Sequence, residues 1–255
     1  MSAVRALSVV LLLLCACAPV EGAGEIERHE FSPKVGYWRW DVMGDFVDSC
    51  GLSEGPIDYS LTLISLGPDG MHLSTHGGKS RVCTVGGSDF GCEDAERSLL
   101  PTPATTSEAV DGAFMSETEG SMAYRLACEC DGPDCEAIAV QRGIEFPCES
   151  TGLARGHYVP LVDSTDLGCD AETGSLATAS TAQAVLQLEN LCDEALQVHR
   201  LDPQGQRVLE TTVAPGEQPH VLWTSVGQAW VLTNRAGECV SVHRGTEDPG
   251  MVTAC

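Results

Sequence analysis

The chain has 255 residues, of which 37 are acidic and 14 are Lys or Arg, for a formal net charge of −23. That charge excludes a nucleic-acid or anionic-membrane surface as the natural partner, because both repel a polyanion. Aromatic residues make up only 5%, whereas glycine contributes 27 residues and proline 13, a balance that favours many turns and short strands over long helices.

Met1–Arg5 carries a positive charge, and Ala6–Leu14 is apolar. The apolar stretch is too short to span a bilayer as a helix, so it reads as a signal peptide ending at residue 16. Leu14-Cys15-Ala16-Cys17 resembles a bacterial lipobox, with Cys17 as the lipidated residue. Ala18 and Pro19 add no acidic residue behind it, so the expected location is the outer membrane of a Gram-negative bacterium, with acyl chains (palmitate among them) as the anchor. Ordinary export to the periplasm or medium is the alternative. Residues 17–32 are expected to be a tether.

With Cys15 removed and Cys17 lipidated, eleven of the 13 cysteines remain. In an exported chain they read as disulfide candidates. Cys50, Cys83, Cys92, Cys128, Cys130, Cys135, Cys148 and Cys169 fall in residues 33–169, enough for four bridges there. Cys192, Cys239 and Cys255 follow, leaving one over.

Residues 33–169 read as an acidic, cysteine-rich antiparallel β barrel or sandwich. Gly36–Met43 is an aromatic first strand, and Tyr59–Leu66 is a second, with Tyr59, Leu61 and Leu63 on one face. Gly67-Pro68-Asp69-Gly70 turns the chain into Met71–Thr75, and Ser80–Val85 follows. Glu93–Glu108, charged and broken by Pro101 and Pro103, reads as an irregular loop. Phe114–Ser116, Ser121–Cys130, Glu136–Gln141 and Gly156–Val162 complete a meander of about eight strands. Asp131–Asp134 reads as a hairpin turn that brings Cys130 opposite Cys135, the first disulfide to expect. Gly36-Tyr37-Trp38 resembles the Gly-x-Trp motif of lipocalins, which implies a barrel that carries a small apolar ligand. The plainer reading places Trp38 and Trp40 in or beside a filled core.

Asp170–Gln183, rich in Ala, Ser, Thr and Gly, reads as a linker, and residues 184–244 as a second domain. Its apolar runs, 184–188, 196–201, 208–213, 221–224, 229–233 and 239–242, are separated by turn-forming clusters such as Asp202-Pro203-Gln204-Gly205 and Asn234-Arg235-Ala236-Gly237. That spacing predicts a small antiparallel β sandwich, with Trp223 and Trp230 read first as core aromatics. Residues 245–255 read as a tail.

Asn190, Leu201–Gly205, Ala214-Pro215-Gly216, the run Thr224–Thr233 and Gly237–Val240 occur in an order that resembles the β domain of the von Hippel–Lindau (VHL) tumour-suppressor family. The resemblance covers about a quarter of the chain and implies a sandwich with a peptide-binding face. The family's hydroxyproline pocket uses a tyrosine, a serine, a histidine and a tryptophan. Trp230 matches the tryptophan, Thr224 stands at the serine position, Gln228 replaces the histidine, and Glu210 falls where the tyrosine would be. The family's helical, ligase-docking domain has no counterpart.

Catalytic signatures are lacking. Gly86–Gly91 does not follow nucleophile-elbow spacing, and there is no phosphate-binding loop or dinucleotide fingerprint. His72 and His76 would share a strand face, but no third metal ligand accompanies them. The expectation is an all-β, two-domain, non-enzymatic binding protein, anchored by lipid on Cys17, without metal or cofactor, whose partner is a protein or peptide. A hydrolase would require a nucleophile and a base that converge in a cleft.

Overall fold

The structure, a computed structural model, describes residues 31–50, 60–75, 80–98, 104–130, 132–173, 180–217 and 219–255. The expected signal peptide, Cys17, the tether up to residue 30 and His76 lie outside the described residues. Eight antiparallel strands form the first unit: β1 (Gly36–Asp48), β2 (Leu61–Gly67), β3 (Gly70–Thr75), β4 (Ser80–Gly86), β5 (Asp89–Ser98), β6 (Ala104–Phe114), β7 (Glu119–Cys130) and β8 (Cys148–Val159). Each pairs with the next, and β8 returns to β1, so the sheet closes into a barrel. Closure leaves no edge to aggregate.

Side chains at alternate positions point inward. Trp38, Trp40, Ile64, Met71, Leu73, Phe90, Val110, Phe114 and Met122 form one buried cluster along the axis. Trp38 stacks on Trp40 at 5.9 Å and Phe90 on Phe114 at 4.9 Å between ring centroids. Glycines in the wall make room for these rings. A Cβ at Gly156 would stand 2.4 Å from the Trp40 ring, and one at Gly112 would stand 2.4 Å from Phe90. The interior is therefore packed with aromatic rings, each worth about 1.5–3 kcal/mol on burial.

Two local expectations change. Glu93–Glu108 is not an irregular loop: β5 runs to Ser98 and β6 starts at Ala104, with a register shift between Cys92 and Ala95. Glu136–Gln141 is not a strand. It belongs to helix α1 (Pro133–Arg142), which opens on proline, carries Asp134 and Glu136 in its first turn and stops at left-handed Gly143. Cys130 and Cys135 do pair, but across the entry to this helix rather than across a hairpin.

The rest of the chain builds two four-stranded sheets. β10 (Gln183–Asn190), β13 (His220–Ser225), β16 (Gly250–Ala254) and the short β9 (Val162–Asp163) form one, in the order β13-β10-β16-β9. β11 (Leu196–Leu201), β12 (Arg207–Val213), β14 (Ala229–Thr233) and β15 (Cys239–Arg244) form the other, in the order β12-β11-β14-β15. Leu186, Leu188 and Val252 from the first meet Leu196, Val198, Trp230 and Leu232 from the second in a shared core. Residues 245–255 are thus not a tail. Val252 and Ala254 alternate inward, and β16 lies between β10 and β9, parallel to both. β9, upstream of the expected linker, supplies that sheet's edge. Residues 169–173 form a 3-10 turn packed on β15.

The two units touch through a buried cluster of Tyr37, Leu61 and Val185, flanked by Trp223. The Tyr37 hydroxyl donates to Gln187 Oε1 at 3.1 Å, and its ring meets Trp223 edge-on. Burial pushes the Tyr37 phenol up to about 12.

Ten of the eleven candidate cysteines form five bridges: Cys50–Cys148, Cys83–Cys92, Cys130–Cys135, Cys169–Cys239 and Cys192–Cys255. Six of the first eight cysteines pair among themselves, in three bridges rather than four. Cys169 reaches forward to Cys239, and Cys128 is buried against the Cys50–Cys148 bridge.

Candidate functional site

The expected face of Trp230, Thr224 and Gln228 is brought together, but inside the sandwich. Trp230 is 4% exposed and donates from Nε1 to Thr224 Oγ1 at 2.9 Å. Thr224 is 5% exposed and Gln228 8%. The Gln228 amide nitrogen donates to the carbonyls of Leu201 and Ala229 at 2.7 and 3.0 Å. Trp230 and Thr224 satisfy each other and Gln228 is held by backbone carbonyls, so the three present no surface to a partner. The signal against an open face was in the sequence: Ala229–Leu232 is continuously apolar, which suits a strand covered on both sides, and these four residues and Thr233 are all buried. Asn190 is likewise structural. It is fully buried, donates to the carbonyls of Glu194 and Val213, and accepts from the Cys192 amide.

Glu210 stands apart from the other three. It lies on β12, exposed, and accepts from Arg200 Nε at 2.8 Å. Among the described residues, β12 is the outermost strand of its sheet and pairs with β11 alone. Val208 and Leu209 beside Glu210 are 37% and 54% exposed. An exposed apolar edge of this kind is a template for an added strand.

A second cluster, which sequence reasoning missed, lies at the other end of the same sheet. Residues 162–168 form a strap stitched to both sheets. The Val162 and Ser164 amides donate to the carbonyls of Pro249 and Met251 at 3.0 and 2.7 Å. The Leu167 amide donates to the Val242 carbonyl at 2.8 Å, and the Val242 amide donates back to Asp166 Oδ1 at 3.1 Å. Behind the strap, His243 is 4% exposed, with Nδ1 3.1 Å from Ser164 Oγ and Nε2 3.2 Å from Ser241 Oγ. Burial lowers the His243 pKa, against the opposing pull of the Asp166 carboxylate and the Thr165 carbonyl. Burial alone would raise the Asp166 carboxyl, but the Gly168 and Val242 amides and the His243 ring hold it below its usual range. Ser164 opens on a cleft of about 370 Å³, lined also by Val162, Leu167, Arg244, Thr246 and Asp248. No pattern could have revealed this site, since Ser164 and His243 are 79 residues apart.

His72 is held by Asp69 within its hairpin, Nε2 to Oδ1 2.8 Å. Gly86–Gly91 forms the hairpin between β4 and β5, with Gly87 at positive φ.

Fold and disulfides define the class: an all-β, disulfide-stapled chain built around a closed eight-stranded antiparallel barrel. No protein-family model, curated protein or solved structure matches it.

Proposed function

We propose that this is an exported interaction protein, tethered by lipid on Cys17, whose C-terminal sheets are a VHL-like sandwich that receives an extended peptide on the outer edge of β12. The observation that carries this reading is the open edge itself, with Val208 and Leu209 exposed on a strand paired on one side only. Backbone groups of the peptide would continue the sheet, while Leu209 and Glu210 would select its side chains. The contact is thus moved from Trp230, Thr224 and Gln228, which are interior, to the one expected site residue at the surface. Five disulfides suit an oxidising compartment.

Carriage of an apolar ligand by the barrel is the weaker reading, because the Trp38, Trp40, Phe90 and Phe114 rings occupy the axis where a ligand would lie.

The test is selection of peptides from a random display library on the mature protein, followed by binding to Leu209→Asp. Selected peptides should lose at least tenfold in affinity, about 1.4 kcal/mol. Peptides that bind the variant as well as the wild type would dismiss this edge. Palmitate labelling in the native host, lost in Cys17→Ser, tests the tether.

A further inference from the structure

We propose that Ser164 is the nucleophile of an ester-hydrolysing site, with His243 as its general base. The argument begins from geometry. Ser164 Oγ lies 3.1 Å from His243 Nδ1, within reach for proton transfer. The ring's other nitrogen is 3.2 Å from Ser241 Oγ, which fixes its orientation. In the tautomer whose Nε2–H donates to Ser241, Nδ1 is the lone-pair nitrogen that accepts from Ser164, and this is the form the proposal requires.

The surroundings suit a base that must be neutral at rest and charged in passing. Burial keeps the imidazole neutral, and both opposing influences, the Asp166 carboxylate and the Thr165 carbonyl, favour the imidazolium once it forms. Asp166 is itself held ionised by two backbone amides. The nucleophile is reachable, because Ser164 lines the cleft while His243 stays behind it. This convergence is what a sequence without a catalytic signature could not display.

The chemistry balances without a cofactor. The Ser164 O–H bond breaks, its proton passes to His243 Nδ1, and Oγ bonds to the ester carbonyl carbon. The carbonyl re-forms as the alkoxide leaves with the proton from Nδ1. Water then repeats the sequence, releasing the acid and restoring the serine. Among the described residues, Arg244 is the one cation lining the cleft and the group available to the developing oxyanion. A cleft of about 370 Å³ with Val162 and Leu167 in its wall takes a small carboxylic ester with a short apolar acyl group.

The experiment uses the whole mature protein with its disulfides intact. A fluorophosphonate probe is applied, the modified residue is mapped by mass spectrometry, and p-nitrophenyl acetate hydrolysis is followed across pH. The expected result is covalent label on Ser164 and a rate that falls as the solution is acidified, with its midpoint below the ordinary histidine range. In His243→Gln, checked for an unchanged circular dichroism spectrum, label should drop at least tenfold. Wild-type protein unlabelled at Ser164 overturns the proposal. So does equal labelling of Ser164 in folded His243→Gln, because a hydroxyl that needs no base is not an activated nucleophile.

Discussion

The barrel and the sandwich reach closure by opposite routes. In the barrel, every strand pairs with its sequence neighbour, and only the β1–β8 seam joins distant segments. In the sandwich, one sheet takes β9 from before the other strands and β16 from after them. The disulfides follow the same division. Cys83–Cys92 and Cys130–Cys135 close short loops within the barrel, 9 and 5 residues apart. Cys50–Cys148, Cys169–Cys239 and Cys192–Cys255 span 98, 70 and 63 residues, and each joins segments distant in the chain. Covalent links stand where loop closure is entropically most demanding.

The largest effect that would sharpen this contrast comes from the bridges. Replacing Cys169 and Cys239 together by alanine should lower stability by about 4 kcal/mol, against about 2–3 kcal/mol for Cys83 and Cys92, read from guanidinium unfolding. Equal losses would break the link between bridge placement and chain distance. Next in size is Trp230→Ala, which should cost about 3–5 kcal/mol in the same assay, as deletion of a buried ring does. An exposed ring would cost little, so this also separates a core role from the peptide-binding role that the VHL resemblance implies.

Tyr37 probes the joint between the units. With its phenol raised to about 12 and the unfolded phenol near 10, its burial is compatible with full stability below pH 10. As pH rises from about 10 to about 12 the unfolded chain loses the proton first, so roughly 2–3 kcal/mol should be lost. Tyr37→Phe should remove that part of the alkaline transition, followed by tyrosinate absorbance and tryptophan fluorescence. The smallest effect expected is Gly156→Ala. The added methyl presses on Trp40 and should cost about 1–3 kcal/mol by overpacking, whereas the same change at Gly205, whose Cβ would meet nothing, strains only its positive-φ backbone.

What the sequence disclosed was what neighbours in the chain decide. The turns at Asp202–Gly205 and Asn234–Gly237 form as read, each with its glycine amide bonded back to the first residue's carbonyl. Strands β1 to β4, the Pro68–Asp69 turn and the Cys130–Cys135 bridge were legible for the same reason, whereas most of β5 and the first part of β6 fell in a stretch that reads as a loop. β9 was not, because two residues carry no period, and β16 was not, because its partner β10 lies more than 60 residues away. Helix α1 was misread as a strand although Pro133, Asp134 and Gly143 marked its ends. At the candidate sites, residue type was readable and direction was not: Trp230 points inward, and Ser164 meets His243 only through folding.

The Cys50–Cys148 bridge encloses Cys83–Cys92 and Cys130–Cys135 in the chain, so the pairing is nested rather than consecutive. On the proposed export, a chain threading into an oxidising space presents Cys50 first among the bridged cysteines and Cys83 next, long before Cys148 arrives. An oxidant that joins thiols in order of appearance would therefore lock Cys50 to the wrong mate and leave β1 unable to meet β8. Under that proposed export, maturation would call for a catalyst that breaks and reshuffles bridges as well as one that makes them. The yield of native protein should depend on that isomerase activity more steeply than on oxidising power.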